Sequence, residues 1–215
     1  MNTIPIPAAI GKHRLPETPT PLTCCPVCGY PAAMETTPSP HDLLKNYRDL
    51  ICRVDELCAG IGEKFPEEIV CRAGCAGCCR HLTLLPVEAV ALAVALHGLP
   101  PDLADMIRNR ARQSAPDGPC PLLMDERCLL YAARPLICRT HGLPLLTRLD
   151  GTPRVDFCPE NFRGVTNLPG SAVIDLERLN TALVAVDALF CREYFPAGRA
   201  DRERYTIAEA LLLEL

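Results

Sequence analysis

The chain has 215 residues, a formal net charge of −4 and 14 cysteines. Its length suffices for a buried core, so it does not need the disulfide staples of a small secreted domain. The basic residues, 19 Arg and 3 Lys, form no run, Trp is absent, and the five Phe and five Tyr are scattered. We therefore expect no nucleic-acid partner.

The apolar stretches exclude a membrane helix. The longest, residues 89–96, is far shorter than the roughly 20 residues that a membrane span requires. The first residues, MNTIPIPAAIGKHR, carry two prolines in their short apolar stretch and their charges after it, unlike a secretory signal. We expect a cytoplasmic, reducing location, where closely spaced cysteines are metal ligands or redox thiols.

Residues 1–40 contain nine of the 22 prolines and no periodic apolar pattern. We predict a disordered, Pro-rich arm here and a single mainly helical domain over residues 41–215. Within the arm, Cys25-Pro-Val-Cys28-Gly resembles half of a zinc ribbon, but the second C-x-x-C that a ribbon needs is missing. These two cysteines are interpreted as an accessory or intermolecular metal knuckle, with idle thiols as the alternative.

Apolar side chains that recur every three or four residues predict amphipathic helices. Helices are predicted over residues 40–65, 86–98, 100–114, 171–195 and 206–215. Ser39 or Asp42 can cap the first helix. Cys52 and Cys58 lie on different faces of it and are expected to be small core residues. The last helix is short and apolar, and we expect it to dock on a neighbour.

Residues 119–160 have a different pattern, with short extended pieces between turns. The polar turn Asp125-Glu126-Arg127 should bring Cys120 and Cys128 near each other. Asp150-Gly151 is typical of a hairpin turn between residues 143–149 and 153–157. The predicted fold class is mainly α with short β-hairpins: a small helical domain organised around a cysteine-rich metal centre.

That centre is predicted from a series of eight cysteines that begins in the segment CRAGCAGCCRH, residues 71–81. Crowded thiolates repel one another unless a cation lies among them, and sulfur ligands suit both Zn²⁺ and iron. The alternatives are regulatory or catalytic thiols and inert buried cysteines. The predicted metal ligands are Cys71, Cys75, Cys78, Cys79, Cys120, Cys128, Cys138 and Cys158.

The cysteine series resembles that of a known family. The segment 71–81, the Pro86-Val-Glu-Ala sequence that follows, the string CPLLMDERCLLYAARPLICRTHGLPL and Cys158-Pro-Glu-Asn-Phe are similar to the YkgJ-type cysteine-cluster proteins. The resemblance covers roughly residues 68–163 and implies a zinc- or iron-chelating domain, with an iron–sulfur cluster among the options, but no particular reaction. Three residues separate Cys71 from Cys75, where the shorter family form has two.

Spacing leaves the number of centres open. Because the side chains of adjacent Cys78 and Cys79 diverge, both are difficult to place on one tetrahedral ion. The series could form two four-sulfur sites, or one iron–sulfur cluster with spare cysteines.

Five other residues flank the predicted ligands. His81 and His141 could replace a thiolate, although a histidine beside the ligands or at the surface is the more frequent outcome. Arg134 and Arg139 are expected to contact the centre, because guanidinium groups offset thiolate charge and orient sulfur. Tyr131 is expected in the core.

We find no carboxylate pair, nucleophile motif or phosphate-binding glycine loop, so no enzymatic reaction is assigned. The prediction is a metal-binding protein with a structural, sensory or adaptor role toward an unidentified protein partner. The alternatives are an iron–sulfur redox protein or enzyme component, and a metal-handling chaperone.

Overall fold

The structure, a computed structural model, describes residues 39–72, 74–115, 117–195, 197–198 and 200–215. The predicted arm, with Cys25 and Cys28, lies outside these residues except for its last two positions. Across the described ranges, no helix combines the length and apolar character needed to cross a membrane. The boundary predicted between an arm and a single domain stays a prediction.

Helices make up most of the described secondary structure, which confirms the prediction of a mainly α fold with short hairpins. The helices are α1 (Pro40–Leu43), α2 (Lys45–Lys64), α3 (Pro86–His97), α4 (Pro101–Gln113), α5 (Leu136–Thr140), α6 (Leu176–Tyr194) and α7 (Ile207–Leu211). The strands are β1 (Thr83–Leu84), β2 (Leu123–Met124), β3 (Arg127–Cys128), β4 (Leu145–Leu149), β5 (Thr152–Asp156), β6 (Ile174–Asp175) and β7 (Tyr205–Thr206).

The first predicted helix is present as α1 and α2, with a one-residue break at Leu44, where ψ is 3°. Ser39 caps it as predicted, and the Asp42 carboxylate accepts the Ser39 N–H in return. Cys52 is exposed, so its assignment to the core was wrong. It follows Ile51, which faces the core, and therefore points outward. Cys58 is half-buried, and its thiol donates to the Arg139 carbonyl at 3.7 Å.

The middle helices α3 and α4 confirm the prediction, but the last two differ from it. Residues 170–175 form a 3₁₀ turn and strand β6, so α6 begins later than predicted, where the Asp175 carboxylate accepts the Arg178 N–H at 3.1 Å. Helix α7 has five residues and packs against α3 and α4 of the same chain. Its Ile207 and Leu211 side chains are buried in the core.

Helix α3 lies at the centre of the packing. Its residues Leu92 and Leu96 join a buried cluster with α4 and α7, whereas Val87 and Val90 join a second cluster with α2 and α6. A helix with apolar residues on all sides is stable only when it is covered all round. The sequence of α3 is therefore explained by this central position.

Both hairpins have the predicted turns. Asp125 and Glu126 have φ values of 47° and 59°, and Asp150 and Gly151 have φ values of 50° and 77°. Two consecutive positive φ values characterise the turns that match the twist of a tight hairpin. Strand β4 pairs antiparallel with β5 and parallel with β6, which makes a three-stranded sheet.

The buried carboxylate of Glu88 connects α3 to α5. It is 4 % exposed and accepts the Leu85 N–H at 3.2 Å and the Leu136 N–H at 3.0 Å. Burial raises the pKa of this carboxyl group, and the two backbone donors oppose the rise. Since α5 carries Cys138, this carboxylate fixes one predicted ligand against the core helix.

Replacing Glu88 with Ala should therefore destabilise the protein by about 2 kcal/mol or more, because it leaves buried N–H groups without an acceptor. Glu193→Ala is the matched control: Glu193 is exposed on α6, and a surface change of this kind stays within about 0.5 kcal/mol. Urea denaturation of both variants measures the difference. Equal losses would show that the Glu88 contacts contribute nothing.

Candidate metal centre

The predicted ligands surround a cavity of about 430 Å³. Seven of the eight line it: Cys71, Cys75, Cys78, Cys79, Cys120, Cys128 and Cys138. The eleven cysteines of the described residues are free thiols. The fold thus gathers sulfur atoms that lie far apart in the sequence, and their assignment as metal ligands stays a prediction.

One wall of the cavity is the loop that follows α2. Tight turns shape it: the Cys75 N–H donates to the Arg72 carbonyl and the Cys79 N–H to the Ala76 carbonyl, each at 3.0 Å. Cys75 and Cys78 are exposed. With few buried side chains of its own, this loop offers sulfur atoms to solvent.

Other residues that line the cavity belong to the core. Cys120 is 8 % exposed and joins the cluster of α3, α4 and α7, with Cys79 and Cys128 packed against it. The Cys120 N–H donates to the Cys79 carbonyl at 3.4 Å, and the β2–β3 hairpin places Cys128 opposite Leu123. These sulfur atoms are held by packing as well as by turns.

Burial has a direct electrostatic effect on these thiols. It raises the pKa of Cys120 to about 11 and that of Cys138 to about 12, and for Cys138 the neighbouring Cys120 and Cys128 raise it further. Without metal, both thiols therefore carry their protons at neutral pH. A bound cation would favour the thiolates and release those protons.

Asn161 organises the corner beside Cys71. It is 1 % exposed, and its amide N–H group donates to the Gly142 carbonyl at 2.6 Å and lies 3.3 Å from the Cys71 sulfur. Its Oδ1 accepts the Val70 N–H at 3.0 Å. Burial raises the pKa of Cys71, and the Asn161 hydrogen bond opposes the rise. Sequence reasoning missed this residue, whose only signal is its place in the CPENF string.

Cys158 is not among the residues that line the cavity, but it adjoins Cys71. Its N–H donates to the Gly142 carbonyl at 3.2 Å, and its own carbonyl accepts the Asn161 N–H at 2.9 Å. A Cβ built on Gly142 would lie 3.0 Å from the Cys71 sulfur and 3.6 Å from Cys158 Cβ. Gly142 therefore separates two closely placed cysteines.

Of the two arginines predicted to contact the centre, Arg134 is the one beside the predicted ligands. It lines the cavity, its guanidinium carbon lies 3.6 Å from the Tyr131 ring centroid, and Nη1 donates to the Cys138 carbonyl at 3.4 Å. Burial raises the pKa of Cys79 and Arg134 opposes the rise. Tyr131 is 58 % exposed, so its assignment to the core was wrong. Its ring instead stacks under the guanidinium.

Arg139 points away from the cavity. It donates to the Arg134 carbonyl at 2.7 Å and the Ala132 carbonyl at 2.6 Å, and it forms an ion pair with Asp55 of α2. These contacts hold the segment that carries Arg134 and Cys138. Arg139 was predicted to contact the metal centre. Its position outside the cavity lining does not support that prediction.

The two histidines near the predicted ligands, His81 and His141, differ in their contacts. His81 uses both ring nitrogens, since Nε2 accepts the Ala208 N–H at 3.1 Å and Nδ1 lies 3.1 Å from the Ala115 carbonyl. It ties the cysteine loop to α7, which leaves no nitrogen for a metal. His141 is exposed and lines the cavity.

The thiols are gathered but not yet at coordination distance. In the part of the chain that the structure describes, no three Cys, His, Asp or Glu side chains are close enough to share one ion. The donor set nevertheless fits zinc or iron, because sulfur is the ligand type that both take.

The close approach at Gly142 gives a test of this corner. Gly142→Ala combines a positive φ of +94° with a clash against the Cys71 sulfur, whereas Gly151→Ala has φ +77° with nothing within 4 Å. Backbone strain of about 1–2 kcal/mol is common to both variants. Gly142→Ala should therefore lose more unfolding free energy in urea, and its Cys71 should react faster with iodoacetamide. Identical behaviour of the two variants would contradict the close approach.

Comparison with known families finds a similarity for the cysteine-rich segment alone. Among curated proteins and solved structures, no significant match to the chain was found. Residues 70–159 match the model of the CxxCxxCC family, described as a putative zinc- or iron-chelating domain. This range contains all eight predicted ligands, and it confirms the resemblance seen in the sequence. The similarity to the CxxCxxCC family thus extends over residues 70–159 of the chain.

Proposed function

We propose that this protein binds zinc or iron through the thiolates around the cavity, and that the metal organises the surrounding loops. The observation that carries the proposal is that seven thiols from separate segments line one cavity. Cysteines that served only as core residues would not be expected to converge on one cavity. The exposed thiols among them, Cys71, Cys75 and Cys78, contribute little to the core.

The segments that surround the cavity support a structural role. Apart from an isolated β-bridge between Arg80 and Pro119, the described residues of 66–82 contain neither a helix nor a strand. Residues 119–135 contain, besides that bridge, only the β2–β3 hairpin and a short 3₁₀ turn. None of the described residues of 66–82 is buried, so this segment has little packing of its own, whereas residues 119–135 place Cys120, Leu122 and Leu130 in the core. A bound metal centre would supply positive charge and cross-links between them, and the free energy of binding would then be free energy of folding.

A second candidate role is metal transfer. The exposure of Cys71, Cys75 and Cys78 favours it, because exposed ligands can be attacked by a competing ligand. The proposal places the protein in a reducing, cytoplasmic setting, in which free thiols persist. An adaptor role toward a protein partner is compatible with either candidate.

Metal content is the direct test. Protein purified without oxygen should contain a stoichiometric metal, with a brown colour for an iron–sulfur centre and no colour for zinc. Cys138→Ser should lose metal and melt at a lower temperature, because it removes a proposed ligand. Cys52→Ser, at an exposed thiol outside the cavity, should change neither.

Chelation extends this test to the unmodified protein. A structural zinc site contributes about 10 kcal/mol or more to folding, so metal removal should lower the melting temperature and expose residues 119–160 to protease. If a sample shown to be metal-free by elemental analysis keeps both properties, the structural role is wrong.

Metal uptake should also depend on pH. The raised pKa values of Cys120, about 11, and Cys138, about 12, mean that both protons must leave when the thiolates bind. Affinity for Zn²⁺ should therefore rise as pH increases from 6 to 8, by about tenfold per pH unit for each proton released. Calorimetric titrations in buffers of different ionisation enthalpy count the protons. A pH-independent affinity would exclude these thiols as ligands.

A further inference from the structure

Asn161 is a buried polar side chain that lies outside the hydrophobic clusters. It is 1 % exposed. Its Oδ1 accepts the Val70 N–H at 3.0 Å, and its Nδ2 donates to the Gly142 carbonyl at 2.6 Å. The Cys71 sulfur lies 3.3 Å from Nδ2 and 3.7 Å from Oδ1. Because a buried amide costs free energy unless its hydrogen bonds are made, these contacts hold the side chain in one place.

The two backbone contacts decide which way the amide faces. Val70 offers an N–H donor and Gly142 a carbonyl acceptor, so an exchanged amide would oppose N–H to N–H and oxygen to oxygen. The amide nitrogen carries two protons, and the Gly142 carbonyl takes one of them. The second proton is therefore available to the Cys71 sulfur, which lies within hydrogen-bond range for sulfur.

The residue after Asn161 has an unfavourable backbone conformation. Phe162 has φ +53°, which is uncommon for a bulky side chain. Its N–H donates to the Glu68 carbonyl at 2.7 Å, and its buried ring contacts Phe65 and Phe157. Such a conformation persists only where the surrounding contacts determine it. The contacts of Phe162 thus fix the backbone from which the Asn161 side chain extends.

The segment that carries Cys71 has little packing of its own. None of the described residues of 66–82 is buried, and Cys71 is exposed. Asn161 binds this segment at the Val70 N–H and at the Cys71 sulfur. The position of that sulfur therefore depends on a side chain that follows 90 positions later in the sequence.

We propose that Asn161 is a positioning residue of the metal site: its amide N–H donates to the Cys71 thiolate and orients that sulfur for metal binding. This inference rests on the proposed function. Groups that hydrogen-bond to a metal ligand fix its orientation and raise the affinity for the metal. Asn161 acts through Cys71 and does not itself touch the metal.

Cadmium-loaded protein tests the contact without any substitution. Full-length protein labelled with ¹⁵N is loaded with ¹¹³Cd²⁺, a spin-active ion that binds thiolates as zinc does. A hydrogen bond from nitrogen to a metal-bound sulfur transmits scalar coupling, so the Asn161 side-chain amide proton should couple to the cadmium nucleus. Bound cadmium without this coupling would overturn the proposal, whether or not any Asn161 variant folds.

Zinc affinity, measured by competition with a chromophoric chelator, tests the contact by substitution. Asn161→Ala removes the donor, and Asn161→Asp removes it while keeping the Oδ1 acceptor for Val70. Both variants should bind zinc about 10- to 100-fold more weakly than the parent, the usual cost of losing the partner of a metal ligand. The matched control is Asn167→Asp, at an exposed asparagine of the same segment, and it should bind as the parent does.

A double-mutant cycle separates positioning of Cys71 from general support of the fold. In a Cys71→Ala background, where the partner sulfur is missing, Asn161→Ala should cause no further loss of zinc affinity. Equal losses with and without Cys71 would show that Asn161 only supports the fold. In metal-free protein, the Val70 N–H should exchange with deuterium faster in Asn161→Ala than in the parent, and unchanged exchange would contradict the contact.

The failure of this inference differs from the failure of the proposed function. A parent that binds neither zinc nor cadmium would refute the proposed function. A parent that binds metal, together with Asn161 variants that keep its zinc affinity, would refute the role of Asn161 alone.

Discussion

The position of the cysteine-lined cavity depends on one buried carboxylate. Glu88 accepts backbone N–H groups from the start of α3 and the start of α5, and α3 is the helix around which the core packs. A desolvated carboxylate is stable only with such donors. The donors here come from residues 51 positions apart in the sequence, so the interaction orients the Cys138 helix relative to the core. Arg139, paired with Asp55, holds the same segment from the α2 side.

Structural features that depend only on residues close together in the chain could be predicted from the sequence. The Ser39 and Asp42 capping pair, the proline starts of α3 and α4 and the Asp150-Gly151 turn all act through their nearest neighbours. The cysteine series could be recognised in the same way, because part of its spacing follows from local turns. In one of these turns the Cys75 N–H donates to the Arg72 carbonyl. Sequence therefore indicated the fold class and the composition of the candidate centre.

Features decided by distant partners could not be predicted. Strand β6 forms only because β4 lies alongside it, and this pairing delays the start of α6. Cys52 and Cys58 belong to one helix, and only the packing of α2 against α5 and α6 decides which of them is covered. Asn161 acts through Val70 and Gly142, which lie 91 and 19 positions away. No local pattern reports such contacts.

The burial of α7 has a consequence for biosynthesis. Ile207 lines the cavity, β7 pairs with β1, and the Ala208 N–H is bound by His81 in the cysteine loop. Residues 205–211 are made after all eight proposed ligands. On a ribosome, the cysteine segment therefore emerges before the helix that completes its surroundings, and the contacts of α7 with that segment are missing for that interval. The cavity reaches its final shape only after residue 211 has been added.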